Sequence, residues 1–370
     1  VGAGRWGRWK NLGRLAAEKL QFLLHERDKS VRFMFSNARY GADIRHLVED
    51  SDVLNIHWIN QGFLSLKGIR RLAEMGKKIV FTLHDMWAFT GGCHYVDQCT
   101  EHLRQCGNCP LLRSPHAGDL SHRLWKEKQA LYADMDLRII TPSVWMAQQA
   151  QRSSLLAKAK IDVIPNCIDT DLYTSATSAQ RSDLRRAYKL PTDKRIIFCF
   201  AMNLQQRRKG LHLLLDSFRY WQQLDPTWAK NTLLLIGGKA DEASFANLPC
   251  EVRALGYLRD RQQICEAYQL ADLFVTPSLE DNLPNTVMES LACGTPVVAF
   301  ATGGIPEMVT HLHNGYIAEY GDPQALAQGL FQTLSSTSSL LTMREAARQS
   351  AVERYNYPTV AAQLLHAMCE

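Results

Sequence analysis

Short apolar runs rich in β-branched residues alternate with longer amphipathic stretches along most of this chain, and that alternation admits few folds. Runs at 52–57 (DVLNIH), 78–83 (KIVFTL), 137–141, 161–165, 195–201 (RIIFCFA), 232–237, 272–276 and 296–300 read as strands. The segments 65–76, 120–133, 143–156, 209–222, 260–270 and 322–335 read as helices. Strands apolar on both faces and separated by helices imply parallel sheets covered on both sides. With 370 residues the chain is long enough for two such α/β domains, each with its own core. The polar stretch 169–194 is the expected interdomain linker, which gives domains at 1–168 and 195–352 and a closing helical segment at 353–370.

Composition narrows the class further. A hydrophobic content of 46% with 21% charged residues reads as a globular, soluble chain. The formal charge of +5 is small for this length and gives no argument for a nucleic-acid partner. Its distribution is uneven: residues 1–32 carry eight Lys/Arg against three acids. No apolar run has the roughly 18–20 residues that a membrane span needs, and the first residues do not have the pattern of a secretion signal. The expected location is cytoplasmic, with ten cysteines as reduced thiols or metal ligands and not as a disulfide framework.

In open α/β sheets, ligands bind beyond the carboxyl ends of the strands. The segments there are His57-Trp58, His84-Asp85, Pro142-Ser143, Asn166, Asn203 to Gly210, Gly237-Gly238 and Ser278 to Asn285, which suit a polar, phosphate-bearing ligand. The richest stretch is 277–300 (PSLEDNLPNTVMESLACGTPVVAF). Pro284 is placed to open a helix there, with Asn282 as its cap. The start of such a helix offers backbone N–H groups and a positive dipole end to an anion. Asp281 precedes the helix, and Asn285 and Glu289 share a face of it at i, i+4. A pair of solvated helix-start charges is the alternative. The segment RRKG (207–210) puts three cations before another helix, enough to neutralise a diphosphate without a metal ion, or else a basic surface loop.

Three further signals stand apart. Asp134-x-Asp136 and Asp169-x-Asp171 have the spacing of a metal-binding acid pair, yet neither follows a strand in a suitable way. Cys93, Cys99, Cys106 and Cys109 form C-x5-C-x6-C-x2-C, compatible with one tetrahedral structural zinc or with four buried or free thiols. From Trp6 to Leu24, apolar residues line one face of a helix otherwise rich in Arg and Lys. This suits contact of residues 5–27 with an anionic membrane surface, or ordinary domain packing.

Taken in order, these pieces resemble family 4 of the retaining GT-B glycosyltransferases over about residues 50–368. NIHWINQGFLSLK (55–67), FTLHDMWAFTGGCHY (81–95) and CGNCPLL (106–112) resemble the acceptor-side domain of the branch that builds bacterial surface polysaccharides. VIPNCIDTDLY (163–173), RRKG, GYL (256–258), ADLFVTPS (271–278), the acid pair and TGGIPEMV (302–309) follow in the order of the donor domain. The resemblance implies two Rossmann-like domains whose parallel sheets face a cleft. It implies sugar transfer, without a metal cofactor, from a nucleoside-diphosphate donor to a hydroxyl on a saccharide or lipid-linked saccharide. An inactive nucleotide-sugar-binding fragment and a sugar-nucleotide epimerase of the same shape are the alternatives.

Residue by residue, the resemblance implies that Arg208 and Lys209 bind the donor diphosphate, Asp281 the donor sugar and Glu289 the ribose, while His84 approaches the sugar. His84, Asp281, Arg208 and Lys209 form the expected catalytic set. Asn203, Tyr257, Asn282, Leu283 and Asn285 complete the expected donor-binding set. Three departures stand out: Asp281 is shorter than the family's usual Glu, Pro284 stands where Gly is common, and Cys167 replaces the Gly of the PNG segment. The family's opening strand and Gly-rich loop have no counterpart, which implies an N-terminal domain lacking its start.

Overall fold

The computed structural model describes residues 5–27 and 34–369, without the side chains of residues 5–8, 21 and 242. The expected contributions of Lys29 and Arg32, and of the side chains of Arg5, Trp6 and Arg8, lie outside that description. Two compact units divide the chain. The first runs to Ile164 and includes the C-terminal end from His366; the second runs Pro165–Leu365.

The first unit holds a four-stranded parallel sheet in the order β1-β2-β3-β4, formed by Val53–Ile56, Lys78–Thr82, Leu137–Thr141 and Lys160–Val163. Its helices are α1 (Arg5–Leu23), α2 (Leu66–Ala73), α3 (Leu120–Ala133) and α4 (Val144–Arg152). Local chemistry starts three of them: Ser65, Asp119 and Ser143 each accept backbone N–H groups as N-caps of α2, α3 and α4. Helix α1 packs through Glu18 and Phe22 and leaves Trp9, Leu12, Leu20 and Leu23 exposed, with Leu24 exposed just after it.

The second unit holds a six-stranded, all-parallel sheet. Its strands are β5 (Arg195–Asn203), β6 (Thr232–Lys239), β7 (Glu251–Gly256), β8 (Leu273–Thr276), β9 (Val297–Phe300) and β10 (Gly315–Ala318). The order across the sheet is β10-β9-β8-β5-β6-β7. Its helices are α5 (Ser178–Ala187), α6 (Leu211–Leu224), α7 (Arg261–Leu270), α8 (Asn285–Ala292), α9 (Ile305–Met308), α10 (Pro323–Ser335) and α11 (Thr337–Tyr355), and α12 (Tyr357–Cys369) begins in this unit and ends in the first.

The pleat of the central strands divides the core in two. Ile196, Phe198, Leu233 and Leu235 pack into one apolar cluster, while Ile197, Cys199, Leu234 and Ile236 pack into another. Strands buried on both faces are the reason the sequence shows continuous apolar runs there. From β5 the chain builds outward to β6 and β7, then returns to lay β8 on the other side of β5. The β5/β8 boundary is therefore the topological switch point, where open α/β sheets form their ligand crevice.

Three differences from the sequence expectations have clear causes. The stretch 169–194 is not an extended linker: it carries α5, opened by a Thr177/Gln180 capping box and held to the second unit by a buried arginine. Arg185 Nη2 donates to Asp272 Oδ2 at 2.9 Å, and its Nε donates to the Leu270 carbonyl at 2.9 Å. Strands β7 and β10 were not expected. β7 (EVRALG) is largely solvent-facing and β10 is only four residues long, so neither presents a long apolar run. Helix α8 starts after Pro284 as N-cap, with no side-chain cap, so Asn282 does not play that part.

Candidate active site

The two motifs that follow β5 and β8 meet at the switch point. Lys209 Nζ donates to Asp281 Oδ2 at 2.6 Å across 72 residues of sequence, and both side chains are largely buried. Arg208 lies beside them, its Nη1 donating to the Glu280 carbonyl (3.2 Å) and its own carbonyl accepting from Leu279 N–H (2.7 Å). RRKG and the acidic loop, far apart in sequence, thus form one constellation.

Two glycines make this approach possible. Gly210, at φ +67°, caps the turn Arg207–Lys209, and a Cβ there would lie 1.8 Å from the Pro277 carbonyl oxygen. Gly303, at φ +54°, passes so close behind Asp281 that a Cβ would lie 1.6 Å from its carbonyl oxygen. Thr302 Oγ1 donates to the Ser278 carbonyl (2.9 Å) and Gly304 N–H to the Asn282 carbonyl (2.7 Å), so the TGG turn braces the acidic loop from behind.

Glu289 lies one turn into α8. The Tyr268 hydroxyl donates to its Oε2 at 3.0 Å, and Tyr173 is a second hydroxyl partner. Burial outweighs these bonds and raises its pKa to about 7. Asn285 shares the α8 face and accepts from Asn166 Nδ2 at 3.2 Å. Leu283 and Asn282 are buried in the turn before the helix. Because Val287 N–H already bonds to the Pro284 carbonyl, at most the amides of Asn285 and Thr286 remain for an anion at this helix start.

Asn203 ends β5 and accepts from Gln205 N–H (3.1 Å), while the exposed Tyr257 follows β7 with Arg259 over its ring. Both stand on the carboxyl edge of the sheet, the edge that carries Lys209 and Asp281.

His84 follows β2 in the first unit, next to the end of β1. Its Nε2 lies 2.8 Å from His57 Nδ1, with the rings stacked at 5.1 Å, so the two imidazoles share one proton. Burial, the leading cause for each, lowers both pKa values and favours neutral rings. A second histidine network adjoins it. Asp85 Oδ2 is 2.7 Å from His94 Nδ1, and His94 Nε2 is 3.2 Å from Ser36 Oγ. The Asp85 carboxylate accepts from Nδ1–H, which leaves Nε2 facing the Ser36 hydroxyl. Ser36, His94, Trp58 and Glu18 line a cavity of about 80 Å³. Sequence reasoning placed His57, Trp58 and Asp85 after strands but not Ser36, His94, Tyr173 or Tyr268 in a network. Only the fold brings those four to their partners.

The remaining candidates resolve individually. Asp134 pairs with Arg70 (3.2 Å), and Asp169 accepts the N–H groups of Asp171 and Leu172, so each acid pair has a structural occupation. Cys93, Cys99, Cys106 and Cys109 share one loop-rich region as free thiols, but no three metal-ligating side chains among the described residues converge on one point. No helix of the described residues is long and apolar enough to cross a membrane.

Comparison with known proteins agrees with this geometry. Residues 13–172 match the profile of Glycosyltransferase Family 4, and residues 194–336 match that of Glycosyl transferases group 1. The D-inositol 3-phosphate glycosyltransferase of Corynebacterium urealyticum is 31% identical over 217 residues, covering 56% of this chain and 50% of that protein. WcaC of Escherichia coli, assigned to colanic acid biosynthesis, is 24% identical over 326 residues, covering 82% of this chain and 75% of that protein. The chain thus spans about half the length of the first of these relatives. Among solved structures, sucrose-phosphate synthase from Thermosynechococcus elongatus superposes with a TM-score of 0.67 at 19% identity, covering 87% of this chain and 74% of that one. HepE from Anabaena, solved with UDP, gives 0.64 at 20% identity, covering 88% and 80%. Identities this low show the fold alone, which is GT-B. Two consecutive family profiles, two parallel α/β units and a basic-acidic constellation at the switch point together make this chain a member of the group 1, family 4 glycosyltransferases.

Proposed function

We propose that this chain moves a sugar from a nucleoside diphosphate to a hydroxyl acceptor with retention at the anomeric carbon. The observation that carries the proposal is the Lys209–Asp281 pair at the β5/β8 switch point, with Arg208 beside it. A cation already held by a carboxylate, in a largely buried position, is preorganised for a diphosphate whose charge grows as the glycosidic bond breaks. Lys209 and Arg208 hold that charge, so the leaving group needs no metal ion to depart. Asp281 then accepts hydroxyls of the transferred sugar and orients it. Glu289 receives the ribose hydroxyls in place of its tyrosine partners. His84 is assigned to the donor sugar by family resemblance alone. The departing diphosphate takes the acceptor proton on the same face.

The acceptor is a saccharide, lipid-linked as in surface polysaccharide synthesis, a reading supported by the likeness to WcaC. The exposed stripe of Trp9, Leu12, Leu20 and Leu23 on α1 with Leu24 just after it, flanked by Lys10 and Lys19, supports a peripheral contact with the anionic, cytoplasmic face of a membrane. Binding of the donor is tested by thermal-shift measurement against GDP-, UDP- and ADP-sugars, because a ligand that binds only the native state raises stability. Stabilisation by one nucleotide series, followed by sugar release onto a glycolipid extract, is the expected result. No stabilisation by any nucleoside diphosphate would overturn the reading, and binding without transfer would reduce the chain to a nucleotide-sugar-binding protein.

A further inference from the structure

The segment from Cys93 to Cys109 has no part in the donor site, yet it is built in an unusual way. Four cysteines fall within 17 residues, and among the described residues none is in a disulfide. Cys106 and Cys109 flank a tight turn through Gly107 and Asn108, and Asn108 takes the left-handed conformation at φ +48°. That turn is tied back to the loop before Cys93: Gly91 N–H donates to Cys106 Sγ at 3.0 Å. The close approach demands glycine, since a Cβ on Gly91 would lie 2.7 Å from Cys106 Cβ. Backbone N–H groups are thus directed at two of the sulfurs, that of Gly91 at Cys106 and those of Leu111 and Leu112 at Cys109, while burial raises the pKa of both free thiols.

Two neighbours remain unexplained without a further group. His102 is only 4% exposed, and neither of its ring nitrogens has a hydrogen-bond partner; the backbone of Cys99 lies beside it. A buried imidazole with both nitrogens unmet is costly. Lys128 is fully buried and donates to the carbonyls of Trp87 and Thr90, with its ammonium over the Trp87 ring. No carboxylate forms an ion pair with it among the described residues. Thr90, which it contacts, directly precedes the Gly91–Cys93 loop, so the Lys128 amine stands next to the cysteines.

We propose that this loop is a structural zinc site, with Cys93, Cys99, Cys106 and Cys109 as its four ligands. The spacing, a C-x2-C turn plus two further thiols, suits a closed tetrahedral tetrathiolate centre. Binding exchanges four protons for one Zn²⁺: four thiols lose their hydrogens to solvent, four Zn–S bonds form and no electron is transferred. The product carries a net charge of minus two, which Lys128 and the Gly91 N–H partly balance. In the present structure no three such side chains converge on one point, so binding requires the four thiols to move together. His102, next to Cys99, then finds a hydrogen-bond partner in a metal-bound sulfur. Cys93 immediately precedes His94, so the metal would also hold the Asp85–His94–Ser36 network in place.

The test uses the full chain, purified without chelators or added metal. Elemental analysis should find about one zinc per chain. Exchange into Co²⁺ should give a thiolate-to-cobalt charge-transfer band with tetrahedral ligand-field bands. Cys106→Ser and Cys109→Ser should each lose the metal, whereas Cys167→Ser and Cys369→Ser, at exposed positions outside the loop, should keep it. Chelator should lower the melting temperature of the wild-type chain and not that of Cys109→Ser. Where a variant fails to fold, the cobalt spectrum of the wild-type chain decides alone. A wild-type chain with less than about one-tenth equivalent of zinc that gives no charge-transfer band with added Co²⁺ would overturn the proposal. So would retention of metal by Cys106→Ser and Cys109→Ser, or a mass showing that the four thiols form two disulfides.

Discussion

Replacing Lys209 by methionine removes the ammonium while keeping most of the aliphatic stem, and the structure gives the change two separate consequences. In the free protein it strips the partner from Asp281, which is only 9% exposed. A carboxylate left without its charge-assisted bond in that setting costs about 1–3 kcal/mol of stability. For a unit of this size that is about 2–4 °C of melting temperature per kcal/mol. In the complex it removes one charged contact to the diphosphate, worth about 1.5–3 kcal/mol, or roughly ten- to a hundredfold in affinity. The lower end is expected, because Lys209 is shared with Asp281 before the ligand arrives. Isothermal titration calorimetry with the nucleoside diphosphate chosen by the thermal-shift panel measures the second effect, and differential scanning calorimetry the first. Asp281→Asn separates the roles. It frees Lys209, so the bare diphosphate should bind at least as well as to wild type, while the sugar nucleotide should bind more weakly. Unchanged affinity for the diphosphate in Lys209→Met would remove this cation from the donor site.

Other consequences are as concrete. Glu289 has its pKa raised from 4.5 to about 7, so the native state holds that proton more tightly than the unfolded chain. Its contribution to stability is therefore full below about pH 4.5 and fades as the pH rises towards about 7. Nucleotide affinity should rise over the same window, since ribose hydroxyls need the ionised carboxylate; a Glu289→Gln protein that kept both slopes would contradict this. Gly210→Ala should cost about 3 kcal/mol or more, through the clash with the Pro277 carbonyl and the positive φ. Gly76→Ala, at φ +72° in open space, should cost about 1–2 kcal/mol in the same denaturant titration. Asp272→Asn leaves Arg185 buried without its ion pair and should destabilise the second unit by about 3–5 kcal/mol in urea melts. Trp9→Ser combined with Leu20→Glu should abolish co-sedimentation with anionic vesicles without changing nucleotide affinity.

What could be read from the sequence was whatever is local. The apolar runs of β5, β6, β8 and β9 declared themselves because those strands are buried on both faces. RRKG and LEDN were visible as charge and turn chemistry before any partner was known. What required the fold was pairing across distance. Lys209 and Asp281 meet only because β8 returns to the side of β5, and Glu289 finds Tyr268 and Tyr173 only because α7 and the segment before α5 pack beside α8. Helix α5 reads as a linker in the sequence because its inward face holds a buried arginine where periodicity leads one to look for leucine. Strand β7 hid for the converse reason, since an edge strand with little buried surface has no apolar signature.

Hydrogen–deuterium exchange with and without a saturating nucleoside diphosphate tests the central claim most directly, because it reports where the ligand sits without presuming its sugar. The account predicts slowed exchange at 207–211 and 278–289, the two segments joined by the Lys209–Asp281 pair, and little change at 34–37 and 58–62 around the cavity of the first unit. Protection confined to that cavity, with 207–211 and 278–289 unchanged, would show that the donor site has been placed on the wrong half of the protein.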